Sequence, residues 1–133
     1  LAARRPRPHQ QGQDRRDLLD NMQACMNPQE LEGLQAEAGT VHTAPALLDY
    51  VQALIAHTRS SPEFSTGLSP RAALALLHAA RAWALMDNRR HTVPEDVQAV
   101  LAAVVGHRLV PAHEDGMRGN ELAAHLIKQV AIP

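Results

Sequence analysis

Apolar residues recur at spacings of three and four along most of the chain, and the breaks in that rhythm carry Pro, Gly or Asn. The cleanest stripe is Leu47, Leu48, Val51, Leu54, Ile55 and Thr58, one face of a helix starting near Thr43. Ser69-Pro70 opens a longer helix that runs to about Asp87. It holds Leu74, Leu76, Leu77, Leu85 and Met86 among seven alanines. So many small side chains let neighbouring helices approach, which makes this the expected central helix. Pro94 with Glu95 and Asp96 starts the next, whose buried face is Val97, Val100, Leu101, Val104 and Val105, with Gly106 as its stop. A last short helix over 120–130 presents Leu122, Leu126, Ile127 and Val130.

The first third of the chain is patterned more weakly. Asp14 is placed to cap a helix whose inward face is Leu18, Leu19, Met22, Cys25 and Met26. Asn27-Pro28 signals a second start, with Leu31, Leu34 and Ala38 on its face and Gly39 as its stop. Residues 1–13 show no periodicity and read as a flexible basic arm or linker. Residues 60–68 and 111–119 read as loops. Two short β-prone runs, Val41-His42 and Thr92-Val93, each precede a helix and are expected to pair as a tiny ribbon. The expected fold is therefore all-α: a small helical bundle over 14–133 with, at most, a two-stranded β ribbon.

Composition narrows the class of protein. The 133 residues are 45% hydrophobic, enough for one core, and only 2% aromatic, so Leu, Val, Ile and Ala must fill it. Met22, Met26 and Trp83 are expected to join that core. A formal net charge of -1 gives no bulk attraction to nucleic acid or membrane. The arm arginines lack interleaved aromatics, so no nucleic-acid partner is expected. No apolar run approaches the roughly 20 residues of a membrane span. Cys25 is the single cysteine; it excludes an internal disulfide and is expected to be buried. His42, His57, His78, His91 and His107 make no ligand pattern, so no metal site is expected.

One residue sits against the electrostatic grain. Helix N-termini favour anions, yet Arg71 falls in the first turn of the helix opened by Ser69-Pro70. Two arrangements offset that charge. A carboxylate such as Glu63, or solvent, can balance it. Alternatively a phosphate is held jointly by the helix end and the guanidinium.

The run Gly67-Leu68-Ser69-Pro70-Arg71-Ala72 resembles the G-x-S-P-R-A segment of MoxR-type AAA+ ATPases. More of that pattern follows the same order. Tyr50 and Thr58-Arg59 resemble its Y…TR element, and Ala79-Ala80-Arg81-Ala82 its A-(K/R)-A stretch. Arg90, Val93-Pro94-Glu95-Asp96-Val97 and His107-Arg108-Leu109 resemble its R…V-x-P-x-D-V…HRL tail. The match is good over 41–109 and loose over 14–40. Val93 departs from the commoner Thr before the proline, so Thr92 is expected to cap from one position back, with Glu95 completing a box.

The resemblance implies the C-terminal helical lid of an ATPase, with Arg71 as the sensor-2 arginine that assists hydrolysis. Ser69, Pro70 and Arg71 would then form the nucleotide-facing segment. It further implies ATP with Mg in the full-length parent, with none held tightly by this lid alone. The implied partners are an upstream AAA+ core, neighbouring subunits of a ring and a von Willebrand A-domain protein. The implied activity is chaperone-like remodelling of client proteins in the bacterial cytoplasm. No G-x-x-x-x-G-K-[ST] occurs here, so the phosphate-cradling loop is expected upstream. Two other functions fit the bare pattern. A free-standing helical interaction module predicts that Arg71 pairs with an acid. A lid of a DNA-acting AAA+ protein predicts DNA affinity that falls steeply with salt.

Overall fold

The computed structural model describes residues 15–114 and 116–133; the basic arm of residues 1–13 and the cap expected at Asp14 lie outside them. Among the described residues six α-helices follow in order: α1 Arg15–Asp20, α2 Pro28–Gly39, α3 Pro45–Ser60, α4 Pro70–Met86, α5 Pro94–Val105 and α6 Asn120–Gln129. Strands β1, Phe64–Thr66, and β2, Val110–Pro111, pair antiparallel; β1 lies between α3 and α4 in the chain and β2 between α5 and α6. The all-α expectation holds.

The core is aliphatic. Leu47, Val51, Leu54 and Ile55 of α3 meet Val97, Val100, Leu101 and Val105 of α5, and Leu122, Ala123 and Leu126 of α6 close the far side. Helix α4 is central, packing against α2, α3 and α5. Its buried stripe is Ala72, Leu76, Ala80 and Ala84, four residues apart, so a ridge of mostly methyl groups faces its neighbours. Its larger side chains Leu74 and Met86 point to solvent. Tyr50 is fully buried, and its hydroxyl accepts from Gln98 Nε2 at 3.0 Å.

Proline sits in the first turn of α2 to α5, where a missing N–H costs nothing. The end of α4 needed the structure to be seen. Asn88 adopts a left-handed φ of 55°, its N–H bonds Leu85 O, and Arg89 N–H bonds Ala84 O, both at 2.9 Å. This pair of bonds is a Schellman end with Asn in the usual glycine position. It turns the chain so that Arg89 reaches Asp96 in α5 through two bonds, at 2.5 and 2.8 Å.

Several expectations fail in the first third. Cys25 is exposed rather than buried. Met22 is 70% exposed, and Leu18, Leu19 and Met26 also face solvent. Helix α2 forms as expected, with Asn27 and Glu30 bonding each other's backbone N–H in a capping box, yet it buries no residue. Trp83, expected in the core, is 47% exposed. The reason is shared: the alanine face of α4 and the inner faces of α3, α5 and α6 already close the core. Replacing Asn27 with alanine is expected to speed amide exchange across α2 about fivefold, the equivalent of about 1 kcal/mol. Unchanged exchange would show that contact with α4, not the cap, sets the stability of α2.

The ribbon also departs from expectation. His42 and His91 form a single parallel bridge, with His42 N–H on Arg90 O and Thr92 N–H on His42 O, each at 2.9 Å. The run pairing is thus real but one residue deep. The two-stranded ribbon forms instead between β1, inside the 60–68 segment read as a loop, and β2, at the start of the one read over 111–119. At α5, Thr92 does not cap: its hydroxyl bonds His42 O and Thr43 Oγ1. Asp96, not Glu95, reaches back to the N–H of Val93 at 2.8 Å.

Candidate functional site

The segment joining α3 to α4 is fixed by local chemistry. Thr58, at the end of the buried stripe of α3, is 1% exposed. Its hydroxyl donates to Ile55 O at 2.7 Å and accepts from Leu68 N–H at 2.9 Å. Leu68 is itself buried and ties the loop to the core. Gly67 presses on the end of α3: a Cβ there would stand 2.9 Å from Arg59 Cα and closer still to Arg59 Cγ. No larger residue fits without moving the loop.

Ser69 then caps α4. Its side chain accepts from Ala72 N–H at 3.4 Å, while its carbonyl accepts the same N–H at 2.9 Å. Pro70 supplies the helical φ and offers no N–H of its own. Ala72 is fully buried, so the first turn is anchored on one side and open on the other. Ser69, Pro70 and Arg71 are all exposed on that open side.

The Arg71 guanidinium makes no hydrogen bond or ion pair with any described residue. Glu63, the acid considered as its balance, is taken elsewhere: its carboxylate meets His125 Nε2 of α6 at 3.0 and 3.1 Å. The ion pair that a free-standing interaction module would require is therefore not present among the described residues. A cation without a partner among the described residues stands where the dipole of a 17-residue helix is positive. Beside it, α3 and α4 enclose an open groove of about 520 Å³ lined by Gln52, Ile55, Ala56, Arg59, Ser60, Pro70 and Ala73. Arg59, one of its lining residues, is likewise without a charged partner among the described residues.

Several of the remaining motif residues pair within the fold. Arg81 Nε donates to Thr43 Oγ1 at 3.0 Å, holding α4 to the start of α3. Arg90 pairs with Glu37 of α2. Asp96 is 2% exposed. Burial pushes its pKa up, but the hydrogen bonds from Arg89 and Val93 and the charges of Arg89 and His91 outweigh that and leave it below the usual carboxylate range. Arg89 is raised in turn, first by its bond to Asp96 and then by Asp87. His107 and Arg108 lie exposed in a 3-10 turn after α5, bonded to each other. His57 meets Phe64 edge-on, ring centres 6.3 Å apart. Among the described residues no group of three or more His, Cys, Asp or Glu side chains converges as a metal site, and no helix is long and apolar enough to cross a membrane.

The sequence places Ser69, Pro70 and Arg71 together, and it marks Thr58 in the apolar stripe and the Thr58-Arg59 element without joining it to this segment. A hydroxyl at the end of an apolar stripe was the available signal, since a buried hydroxyl needs partners.

The chain belongs to the AAA lid domain family, whose model matches residues 56–129, more than half its length. Relatives narrow that class to the MoxR branch of AAA+ proteins. Protein MoxR of Paracoccus denitrificans is 39% identical over 101 residues, covering 63% of this chain and 30% of that protein. Chaperone MoxR1 of Mycobacterium tuberculosis is 31% identical over 116 residues, covering 78% of this chain and 31% of that protein. The uncharacterized protein YeaC of Bacillus subtilis is 24% identical over 124 residues, covering 91% of this chain and 39% of that protein. The chain thus spans between 30% and 39% of the length of these relatives. A crystal structure from Cytophaga hutchinsonii, of a protein provisionally assigned as an ATPase, has the same fold. Its TM-score is 0.66 at 24% identity, over 74% of this chain and 33% of that one.

Proposed function

We propose that this lid serves its parent ATPase by presenting Arg71 to the terminal phosphate of ATP, as the sensor-2 arginine. The observation that carries the reading is the Arg71 guanidinium at the start of α4, unpaired among the described residues, with Glu63 bound instead to His125. An exposed cation at a helix N-terminus is unfavourable by a few tenths to about 1 kcal/mol, and a phosphate reverses the sign of that interaction. The residues fit such a group. Arg71 would hold it through charge and a bidentate fork. The Ser69 hydroxyl proton, which has no acceptor among the described residues, lies one residue from Pro70 on the same open side. Pro70 fixes the direction of the helix.

ATP with Mg would supply the phosphoryl group whose transfer drives the parent protein. The protein's own contribution from this side is positive charge aimed at the oxygens where negative charge accumulates. Because Arg71 is fixed to α4, and α4 to α3 and α5, phosphate contact would be felt by the lid as a rigid body. That is the route by which hydrolysis becomes lid movement.

The wider setting is part of the same proposal, and the family likeness supports it. An upstream core would provide the phosphate-cradling loop, and neighbouring subunits would complete a ring. The work done would be chaperone-like remodelling or assembly of client proteins in the cytoplasm, with a von Willebrand A-domain protein as a candidate partner. These rest on the MoxR likeness.

The test is ATP turnover by the intact protein with Arg71→Ala. Unchanged turnover in a folded variant overturns the reading.

A further inference from the structure

We propose that Thr58 is a positioning residue for Arg71, holding the loop that sets where the guanidinium stands; this rests on the reading of Arg71 as the phosphate contact. Three observations converge on it. The Thr58 hydroxyl is buried and doubly used, donating to Ile55 O and accepting from Leu68 N–H. Leu68 lies three residues before Arg71, and its N–H bond to Thr58 is the tie from that loop into α3. Gly67, directly before it, is wedged against Arg59 on the same helix end. Besides the direct packing of α4 on α3, the loop into α4 is thus tied to the end of α3 by one hydroxyl and one close approach.

The chemistry restricts what can replace threonine. A hydroxyl both donates and accepts; valine has the same shape and does neither; serine does both. Loss of the hydroxyl leaves Leu68 N–H buried without an acceptor. The loop must shift to hydrate it, and Arg71 moves with the loop.

The experiment is a cycle of Thr58→Val, Thr58→Ser and Arg71→Ala in the intact protein, reading ATP turnover and nucleotide affinity, with circular dichroism to confirm folding. Thr58→Val is expected to lower turnover about tenfold, less than the roughly hundredfold that a full ångström of misplacement costs. Thr58→Ser is expected to restore turnover. In an Arg71→Ala background, Thr58→Val is expected to change turnover by less than about twofold, because the two residues act as one unit. An equal loss in both backgrounds overturns the proposal and leaves Thr58 a structural residue. If Arg71→Ala alone has no effect, the phosphate reading fails and this inference falls with it.

Should Thr58→Val fail to fold, Gly67→Ala probes the same loop from its other side without removing a buried hydroxyl. It is expected to lower turnover when Arg71 is present and to leave it unchanged in the Arg71→Ala background. An equal loss in both again overturns the proposal.

Discussion

Alanine in place of Arg71 is expected to lower ATP turnover by the intact protein about a hundredfold, the loss typical of removing one preorganised charge-stabilising donor. The fold should not suffer. Arg71 is exposed and unpaired among the described residues, so its removal should shift stability by less than about 0.5 kcal/mol. A small gain is the expected sign, because a cation leaves the positive end of α4. This combination separates a functional cation from a structural one: a structural arginine would lose stability and turnover together. Arg71→Lys sharpens the result. Lysine keeps the charge but not the planar fork, so partial recovery is expected. Full recovery would mean that charge alone matters. A drop in nucleotide affinity with turnover at saturation unchanged would recast Arg71 as a binding residue with no role in the transition state.

Asp96→Ala is expected to be the most damaging single change to stability outside the aliphatic core, about 3 kcal/mol. The carboxylate is buried and accepts three hydrogen bonds, two from Arg89 and one from Val93 N–H. Its loss uncaps α5 and frees the turn after α4 at the same moment. Asp87→Ala is the control. That carboxylate also meets Arg89, at 3.0 Å, but is 71% exposed, and exposed pairs contribute little. The pH dependence has a definite sign. The folded pKa of Asp96 lies below its ordinary value, so its stabilisation is complete above that ordinary value and disappears as pH falls through the folded one. The gap between wild type and Asp96→Ala should hold from neutrality down to about pH 4 and narrow below it. A gap that stays flat as pH falls below that point would show that packing, not the ionised carboxylate, carries the effect. Thermal unfolding at several pH values measures it directly.

The candidate segment was legible because its signals are local. Asn27-Pro28, Ser69-Pro70 and Pro94 mark helix starts by backbone chemistry that needs no tertiary partner, and all three appear where expected. The stripes of α3 and α5 follow from helix periodicity, and their apolar residues are buried with few exceptions: Leu48 is exposed and Val104 half-buried. Arg71 stood out by its charge at a helix start, again a local property. The errors share a different character. Leu18, Met22, Cys25 and Met26 have the spacing of a buried face, but spacing says only that they lie together, not that anything covers them. Trp83 was assigned to the core by its chemistry, yet the alanine stripe of α4 had already closed that side.

Sequence alone therefore determined the helical class, the helix starts, the aliphatic composition of the core and the placing of a cation beside Ser69-Pro70. Each depends on residues within one or two turns of one another. Tertiary structure decided which stripes were covered and that Glu63 belongs to His125 rather than Arg71. It also decided that Asp96 pairs with Arg89, and that Thr58 and Gly67 register α4 against α3. Those outcomes join residues up to 62 positions apart, and which long-range pairs form is settled by how the helices pack, a choice no local pattern encodes.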